Sequence, residues 1–165
     1  VVSNFIPLVV IVYAYEEPEL QHIEYKMWNI LTVENNVASN NQEELQKLIK
    51  RLVEEHECEE HIYFYGTKTG GYTAMLHAVL SHSNALYAYN PQMTDIEEHN
   101  LSTLMNTVDV FPIFYLCNTQ NTMQMNSFIE TCKEKHIILN LKHCPKSAYS
   151  AVKNVQEVLD FLSRR

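Results

Sequence analysis

The chain has 165 residues, of which 46% are hydrophobic, and a formal net charge of −8 at pH 7. The negative charge argues against a nucleic-acid partner, and no apolar run approaches the ~18 residues of a membrane-spanning helix. The length suits one domain with a sizeable hydrophobic core, so we predict a single domain over residues 1–165. Because the sequence begins with VVSNF, without an initiator methionine, we expect this domain to be excised from a longer chain.

Short apolar runs alternate with amphipathic segments along the chain. Strands are predicted at residues 7–15, 27–33, 61–66, 85–91, 110–118 and 136–143, where β-branched and aromatic residues concentrate. Helices are predicted at residues 40–56, 72–82, 122–136 and 148–165, and residues 95–107 are predicted to form a loop with one short helix. Asn40 and Glu43 have the spacing of a capping box for the first helix. The alternation indicates a mostly parallel sheet of about six strands, covered by helices on both faces as a three-layer α/β sandwich.

The cysteines, Cys58, Cys117, Cys132 and Cys144, form neither a CxxC pair nor the spacing of a disulfide-rich domain. We therefore expect them to be reduced and the protein to be cytoplasmic. His56, Cys58 and His61 are residue types that bind metals, but their spacing matches no zinc pattern, and a polar helix end is the preferred interpretation. No metal and no other cofactor is predicted.

All three glycines of the chain, Gly66, Gly70 and Gly71, fall within six consecutive positions of the stretch YFYGTKTGGYTAML (63–76). Glycine is needed where φ is positive, or where another segment passes too close for a Cβ atom. The cluster follows the predicted strand at 61–66, and ligands bind beyond the carboxyl ends of strands in parallel sheets. The glycine turn is therefore the first candidate for a functional site.

Spacing separates three glycine motifs that occur between a strand and a helix. No Lys-Thr or Lys-Ser pair directly follows a glycine, which excludes the phosphate loop, and no G-x-G is present for a dinucleotide site. Gly66, Lys68 and Gly70 do fit the nucleophile elbow G-x-S-x-G, a sharp turn that holds its central residue in a strained conformation.

With this elbow the chain resembles the α/β-hydrolase superfamily, especially its cap-less bacterial branch with an elbow of the form G-x-S-x-G-G-[YT]. The resemblance covers nearly the whole chain in element order, from the elbow at 66–71 to His143 between the last strand and the last helix. It implies an α/β-hydrolase-like fold without a cap. Members of that branch occur among acyltransferases and esterase-like proteins linked to surface polysaccharide and accessory secretion.

Two positions depart from the superfamily pattern. Lys68 stands where the family has its serine nucleophile, and the segment CNTQNT (117–122), where the family commonly has its acid, contains amides but no carboxylate. Ser-His-Asp chemistry needs a hydroxyl, a base and a carboxylate that orients the base. Other carboxylates follow the strand that ends in NPQ, where some members place the acid, and simple solvation is the preferred interpretation of these: Asp95, Glu97 and Glu98.

Lys68, Thr69 and His143 are the candidate catalytic residues. Lys68 could attack a substrate only as a free amine in a desolvated cleft, and a solvated or ion-paired cation is the preferred alternative. Thr67 and Thr69 flank the central position, but the elbow presents only its central residue to the cleft. Without a nucleophile, His143 is interpreted as a leftover polar side chain.

Many of the ten tyrosines alternate along the predicted strand ends. They could form a platform on which sugar rings stack, because an aromatic face packs on the apolar face of a sugar while the hydroxyl donates hydrogen bonds. Alternate residues on a covered strand are more often core, and core is the preferred interpretation. The residues concerned include Tyr13, Tyr15, Tyr63, Tyr65, Tyr87 and Tyr89.

Two functional hypotheses follow. The first is a catalytically degenerate hydrolase domain that binds or scaffolds a protein partner or a glycan, within surface polysaccharide biosynthesis or accessory secretion. The second is an active esterase or acyltransferase that uses Lys68, Thr69 or a residue from outside this domain together with His143. The first hypothesis is favoured, because the serine nucleophile and the acid are both missing. The glycines do not require catalysis, since selection for folding alone could retain them.

Overall fold

The computed structural model describes residues 6–25, 27–57, 61–118, 125–143 and 151–164. Strands and helices alternate along these residues. The strands are β1 (Leu8–Tyr13), β2 (Asn29–Glu34), β3 (Ile62–Thr67), β4 (Ala85–Tyr89), β5 (Ile113–Asn118) and β6 (Leu139–His143). The α-helices are α1 (Asn35–Asn40), α2 (Gln42–His56), α3 (Thr69–Leu80), α4 (Asp95–Met105), α5 (Asn126–Glu134) and α6 (Ala151–Ser163), and a 3-10 helix covers Pro18–His22.

The strands form one sheet in the order β2-β1-β3-β4-β5-β6, and all five pairings are parallel. Because parallel neighbours cannot be joined by tight turns, a crossover links each strand to the next. The predicted three-layer α/β sandwich with about six strands is confirmed.

The sheet separates two hydrophobic clusters, because successive residues of a strand point to opposite faces. Val10 and Phe64 belong to the larger cluster, which includes buried residues of α2, α3, α4 and α5. Ile11 and Tyr65 belong to the cluster on the other face, together with residues of α6 and of the 3-10 helix. The central strands β1, β3 and β4 are therefore buried on both faces, as their continuous apolar runs predict, whereas the edge strands β2 and β6 are half-buried or exposed.

Two details of the helices differ from the sequence prediction. Asn40 ends α1, and α2 begins after Asn41 without a hydrogen bond from a capping side chain, so the capping box predicted at Asn40 is wrong. A capping box is instead formed by Thr94 and Glu97 at the start of α4. The capped helix spans 11 residues, where the sequence predicts a loop with one short helix.

Cys117, near the end of β5, is disulfide-bonded, whereas Cys132 is free and buried. The expectation that all cysteines are reduced is therefore wrong for Cys117. A disulfide depends on distance in the folded chain, which spacing along the sequence does not reveal. The cytoplasmic location rested on reduced cysteines and stays a prediction without that support. Cys58 and Cys144 lie outside the described residues.

Candidate functional site at the glycine turn

The turn between β3 and α3 is made by a single residue. β3 ends at Thr67 and α3 begins at Thr69, and Lys68 between them has φ 52° and ψ −123°. A side chain with a Cβ atom rarely adopts this conformation, which costs on the order of 1–3 kcal/mol. The turn thus has the strained central residue that the elbow spacing predicts.

Backbone hydrogen bonds hold the Lys68 peptide groups. The Lys68 N–H donates to the Tyr89 carbonyl over 3.0 Å. The Lys68 carbonyl accepts from the N–H groups of Gly71 at 3.0 Å and Gln92 at 2.9 Å. The strained conformation is therefore fixed by the end of β4 and the residues after it, and not by the lysine side chain.

The glycines are required by close approach. Gly66, Gly70 and Gly71 all have negative φ, so backbone conformation does not explain them. A Cβ on Gly66 would lie 2.5 Å from the Gly70 carbonyl oxygen, and one on Gly70 would lie 2.7 Å from the Val12 oxygen. A Cβ on Gly71 would lie 2.8 Å from Pro91 Cβ. Such distances are too short for real contacts, so the three glycines let α3 pack tightly against β1, β3 and the residues after β4.

Thr67 lies behind the turn and is fully buried. Its hydroxyl donates to Oε1 of Glu17 over 2.5 Å, and Glu17 is itself only 4% exposed. Glu17 follows β1 at the start of the 3-10 helix, and its N–H donates to the Ala14 carbonyl. Burial, and to a smaller extent the Glu17 carboxylate, raises the pKa of Tyr89 on the neighbouring strand. The buried Glu17 carboxylate therefore holds the last residue of β3, directly before the elbow residue Lys68.

Lys68 and Thr69 reach the surface in different directions. Lys68 Nζ lies 3.8 Å from Oε1 of Glu16, and 34% of the lysine side chain is exposed. The Thr69 hydroxyl accepts a hydrogen bond from the side-chain amide of Asn35 at 3.3 Å, and Asn35 also accepts from Thr73. The structure thus pairs the central lysine with a carboxylate and joins Thr69 to α1.

His143 is exposed and is the last residue of β6. The strand register aligns Thr67 with Tyr89, Tyr89 with Cys117, and Asn118 with His143. Three strand spacings of about 4.8 Å therefore separate the end of β3 from His143, or about 14 Å between backbones. Lys68 and His143 share the C-terminal edge of the sheet, with β4 and β5 between them.

The carboxylates considered from the sequence belong to α4. Glu97 accepts the Thr94 N–H in the capping box, and Oε2 of Glu98 accepts the Phe128 N–H of α5 at 3.3 Å. Asp95 lies in the first turn of α4, where negative charge is favourable. Two of these carboxylates thus stabilise helix ends, while Glu16 forms the ion pair with Lys68. Residues 119–122 of the CNTQNT segment lie outside the described residues.

Sequence reasoning missed Glu16 and Glu17, the two carboxylates nearest the turn. They occur in the acid-rich stretch EEPEL (16–20), where nothing in the sequence distinguishes the buried Glu17 from its exposed neighbours. Within the described part of the chain, no cluster of three or more metal-binding side chains is present, and no helix is long and apolar enough to cross a membrane. His56 and His61 are described, whereas Cys58 between them is not.

Solved structures similar to this chain include three that are described as hydrolases. An S-formylglutathione hydrolase from Staphylococcus aureus is 10% identical, with a TM-score of 0.68 over 98% of this chain and 82% of that chain. A sugar hydrolase from Lactococcus lactis is 13% identical, with a TM-score of 0.61 over 98% and 90% of the two chains. A putative hydrolase of the α/β superfamily from Xanthomonas campestris is 9% identical, with a TM-score of 0.52 over 96% and 98%.

The chain has the α/β-hydrolase fold. The resemblance stated from the elbow and the element order is confirmed at this level. Identities of 9–13% show the fold alone and carry no activity or substrate to this chain. No protein-family model and no curated protein matches the sequence.

Proposed function

We propose that this chain is a catalytically degenerate α/β-hydrolase-like domain that acts as a binding or scaffolding module. The observation that supports the proposal most directly is Lys68, which occupies the strained elbow position and lies 3.8 Å from the Glu16 carboxylate. A lysine nucleophile works as a free amine, activated by desolvation or by a cationic neighbour. Lys68 instead has a third of its side chain in solvent and an anionic neighbour.

The neighbouring groups support the same proposal. The Thr67 hydroxyl is buried and donates to Glu17, so a substrate cannot reach it. Thr69 is exposed, but its hydroxyl is engaged with Asn35 on α1. A base must lie within hydrogen-bond reach of the group it deprotonates, about 2.6–3.2 Å, and β4 and β5 separate His143 from the turn.

The retained turn favours a second candidate function, an esterase or acyltransferase that uses Lys68 or Thr69 with His143. Lys68 keeps the strained conformation of a nucleophile, and Thr69 begins α3, where backbone N–H groups have no partner within the helix. Such groups could stabilise an oxyanion. We rank this candidate second, because close packing of α3 on the sheet is sufficient reason to retain the glycines.

The partner class and the cellular setting belong to the proposal as well. A protein partner or a glycan is the expected ligand of the module, and surface polysaccharide biosynthesis or accessory secretion is the expected setting. Both come from the superfamily branch that the elbow resembles. The C-terminal edge of the sheet, with the Lys68 and Glu16 pair, is the surface on which such a partner would bind.

Hydrolysis of short-chain p-nitrophenyl esters by the purified domain tests the proposal. The wild type, Lys68→Ala, Lys68→Ser and His143→Ala are compared, with circular dichroism to show that each variant is folded. We expect the wild type to hydrolyse the esters no faster than buffer. Turnover by the wild type that both alanine variants abolish would overturn the proposal and establish the second candidate. Turnover by Lys68→Ser alone would show that the oxyanion donors function and that the nucleophile is what the chain lacks.

A further inference from the structure

A cavity lies between α6 and the β4–β6 side of the sheet, and it does not include the glycine turn. Its volume is about 390 Å³, within the range of about 300–1,000 Å³ that is typical of small-molecule sites. Its polar lining residues are Tyr87, Tyr115, Asn140, Lys142, Asn154 and Glu157. The apolar residues Val158 and Phe161 of α6, together with Leu116 and Leu141 of the sheet, complete the lining.

The floor of this cavity is a row of neighbouring side chains on the α6 face of the sheet. The strand register aligns Tyr65 with Tyr87, Tyr87 with Tyr115, and Tyr115 with Asn140. The Tyr65 and Tyr87 rings are nearly parallel, at 14°, with their centroids 6.1 Å apart. Phe161 of α6 packs edge-on against Tyr115 at 5.0 Å. Ring contacts therefore fix the orientation of the two lining tyrosines.

The polar groups around this floor can both donate and accept. Tyr hydroxyls and Asn amides do both, the Glu157 carboxylate accepts, and the Lys142 ammonium donates. Burial, with smaller contributions from Tyr89 and Glu157, raises the pKa of Tyr87, so its hydroxyl stays protonated and able to donate. The cavity lining contains one cationic and one anionic side chain, so its charge favours neither a cationic nor an anionic ligand.

We propose that this cavity binds a neutral sugar ring. Each sugar hydroxyl needs one acceptor and one donor, which the mixture of tyrosines, asparagines, Lys142 and Glu157 supplies. The C–H face of a sugar packs on an aromatic ring, and Tyr87 and Tyr115 form the floor. An apolar ligand would leave the polar lining without partners, at a cost that a sugar avoids.

The sugar site is independent of the function proposed for the glycine turn. None of its lining residues belongs to the elbow or to the carboxylates beside it. Asn140 and Lys142 lie on β6, the last strand of the sheet in its order, and Glu157 is an exposed residue of α6. A ligand can therefore enter from the side of the sheet without disturbing Lys68.

Ligand binding can be measured by titrating the isotope-labelled domain with a panel of neutral monosaccharides and disaccharides, and separately with charged amino acids, and recording amide NMR shifts. Saturable shifts are expected at residues 140–142 and around Glu157 for at least one sugar. Glu157→Ala and Asn140→Ala change exposed side chains, so both variants should fold. Each should weaken binding about tenfold, the equivalent of a lost hydrogen bond of ~1.4 kcal/mol.

Two variants serve as matched controls. Gln156→Ala changes an exposed neighbour of Glu157 that does not line the cavity, and Lys153→Ala changes an exposed lysine of α6 that does not line it either. Neither should alter the affinity. The proposal is overturned if no sugar gives saturable shifts up to tens of millimolar, or if charged amino acids bind and neutral sugars do not. Affinity that falls in Lys68→Ala but not in Glu157→Ala would move the sugar to the glycine turn and equally overturn it.

Discussion

The Thr67 hydroxyl donates a hydrogen bond of 2.5 Å to the Glu17 carboxylate, and both side chains are buried. The bond connects the last residue of β3 to the segment that follows β1. A buried carboxylate is tolerated only when hydrogen bonds replace the water it has lost. Thr67 therefore supplies part of the solvation of Glu17, and the pair supports the backbone from which Lys68 projects.

Replacing Thr67 by valine should lower the free energy of unfolding by about 1–3 kcal/mol. Valine keeps the shape of threonine but removes a donor from the buried Glu17 carboxylate. Urea unfolding followed by circular dichroism measures the loss. Thr69→Val is the control, because Thr69 is exposed and its hydrogen bond with Asn35 is long, at 3.3 Å. Equal losses in the two variants would contradict a special role for the Thr67 and Glu17 pair.

Replacing Lys68 by glycine should stabilise the fold by about 1 kcal/mol. Glycine adopts the conformation of Lys68 without steric cost, and the lost ion pair with Glu16 is exposed and worth at most ~1 kcal/mol. Lys68→Ala separates the two effects, because alanine loses the ion pair and keeps the strain. We expect the midpoint of urea unfolding to rise for Lys68→Gly above that of Lys68→Ala. An unchanged midpoint would show that the turn is not strained.

Gly66→Ala should destabilise the fold by at least about 2 kcal/mol. The new methyl group would meet the Gly70 carbonyl at 2.5 Å and the Ala74 side chain at 2.7 Å, so β3 and α3 must move apart. Thermal unfolding measures the effect, with Thr69→Ala as a control at an exposed position of the same turn. A stable Gly66→Ala variant would mean that close packing does not explain the glycines.

Acid should destabilise the fold through His77. This residue is fully buried on α3, Gln46 lies 2.6 Å from its Nδ1, and burial lowers the pKa of His77 to about 4, with a smaller opposing contribution from the nearby Ala38 backbone. The folded state keeps the ring neutral, whereas the unfolded chain takes up the proton below about pH 6.5. The contribution of His77 to stability is complete above pH 6.5 and falls by about 1.4 kcal/mol per pH unit towards pH 4.

The test is to measure the free energy of unfolding between pH 4 and pH 7.5 for the wild type and two variants, and to compare how steeply it falls with pH. His77→Gln should remove most of the slope, because glutamine does not titrate. His82→Gln, at an exposed position, should retain it. A slope that survives in His77→Gln would assign the acid sensitivity to other groups.

Most of the fold could be predicted because the buried strands are apolar throughout and the helices between them are amphipathic. The elbow could be predicted because three glycines at fixed spacing have few alternative uses. The short α1 could not be, since NNVASN (35–40) contains polar residues with weak helix propensity and depends on contacts with α3 and β2. The polar residues around Asn40 likewise led to the wrong prediction of a capping box there. The structure has its capping box at the start of α4 instead.

The surroundings of the candidate site were harder to predict than its turn. Glu17 is one of three acids in five residues, and only the fold shows that it is buried against Thr67. Whether Cys117 forms a disulfide likewise depends on distances in the folded chain and not on the spacing of cysteines along the sequence. The burial of Glu17 and the disulfide of Cys117 both depend on tertiary contacts, which local sequence patterns do not reveal.

The strained backbone of Lys68 is held by its N–H, which donates to the Tyr89 carbonyl, and by its carbonyl, which accepts from the N–H groups of Gly71 and Gln92. None of these bonds depends on the side chain. Whatever residue is encoded at this position will therefore point outward from the same rigid turn. The domain can thus serve as a rigid scaffold for protein engineering. A cysteine, a serine or an unnatural amino acid at position 68 would hold a label or a reactive group in a known orientation.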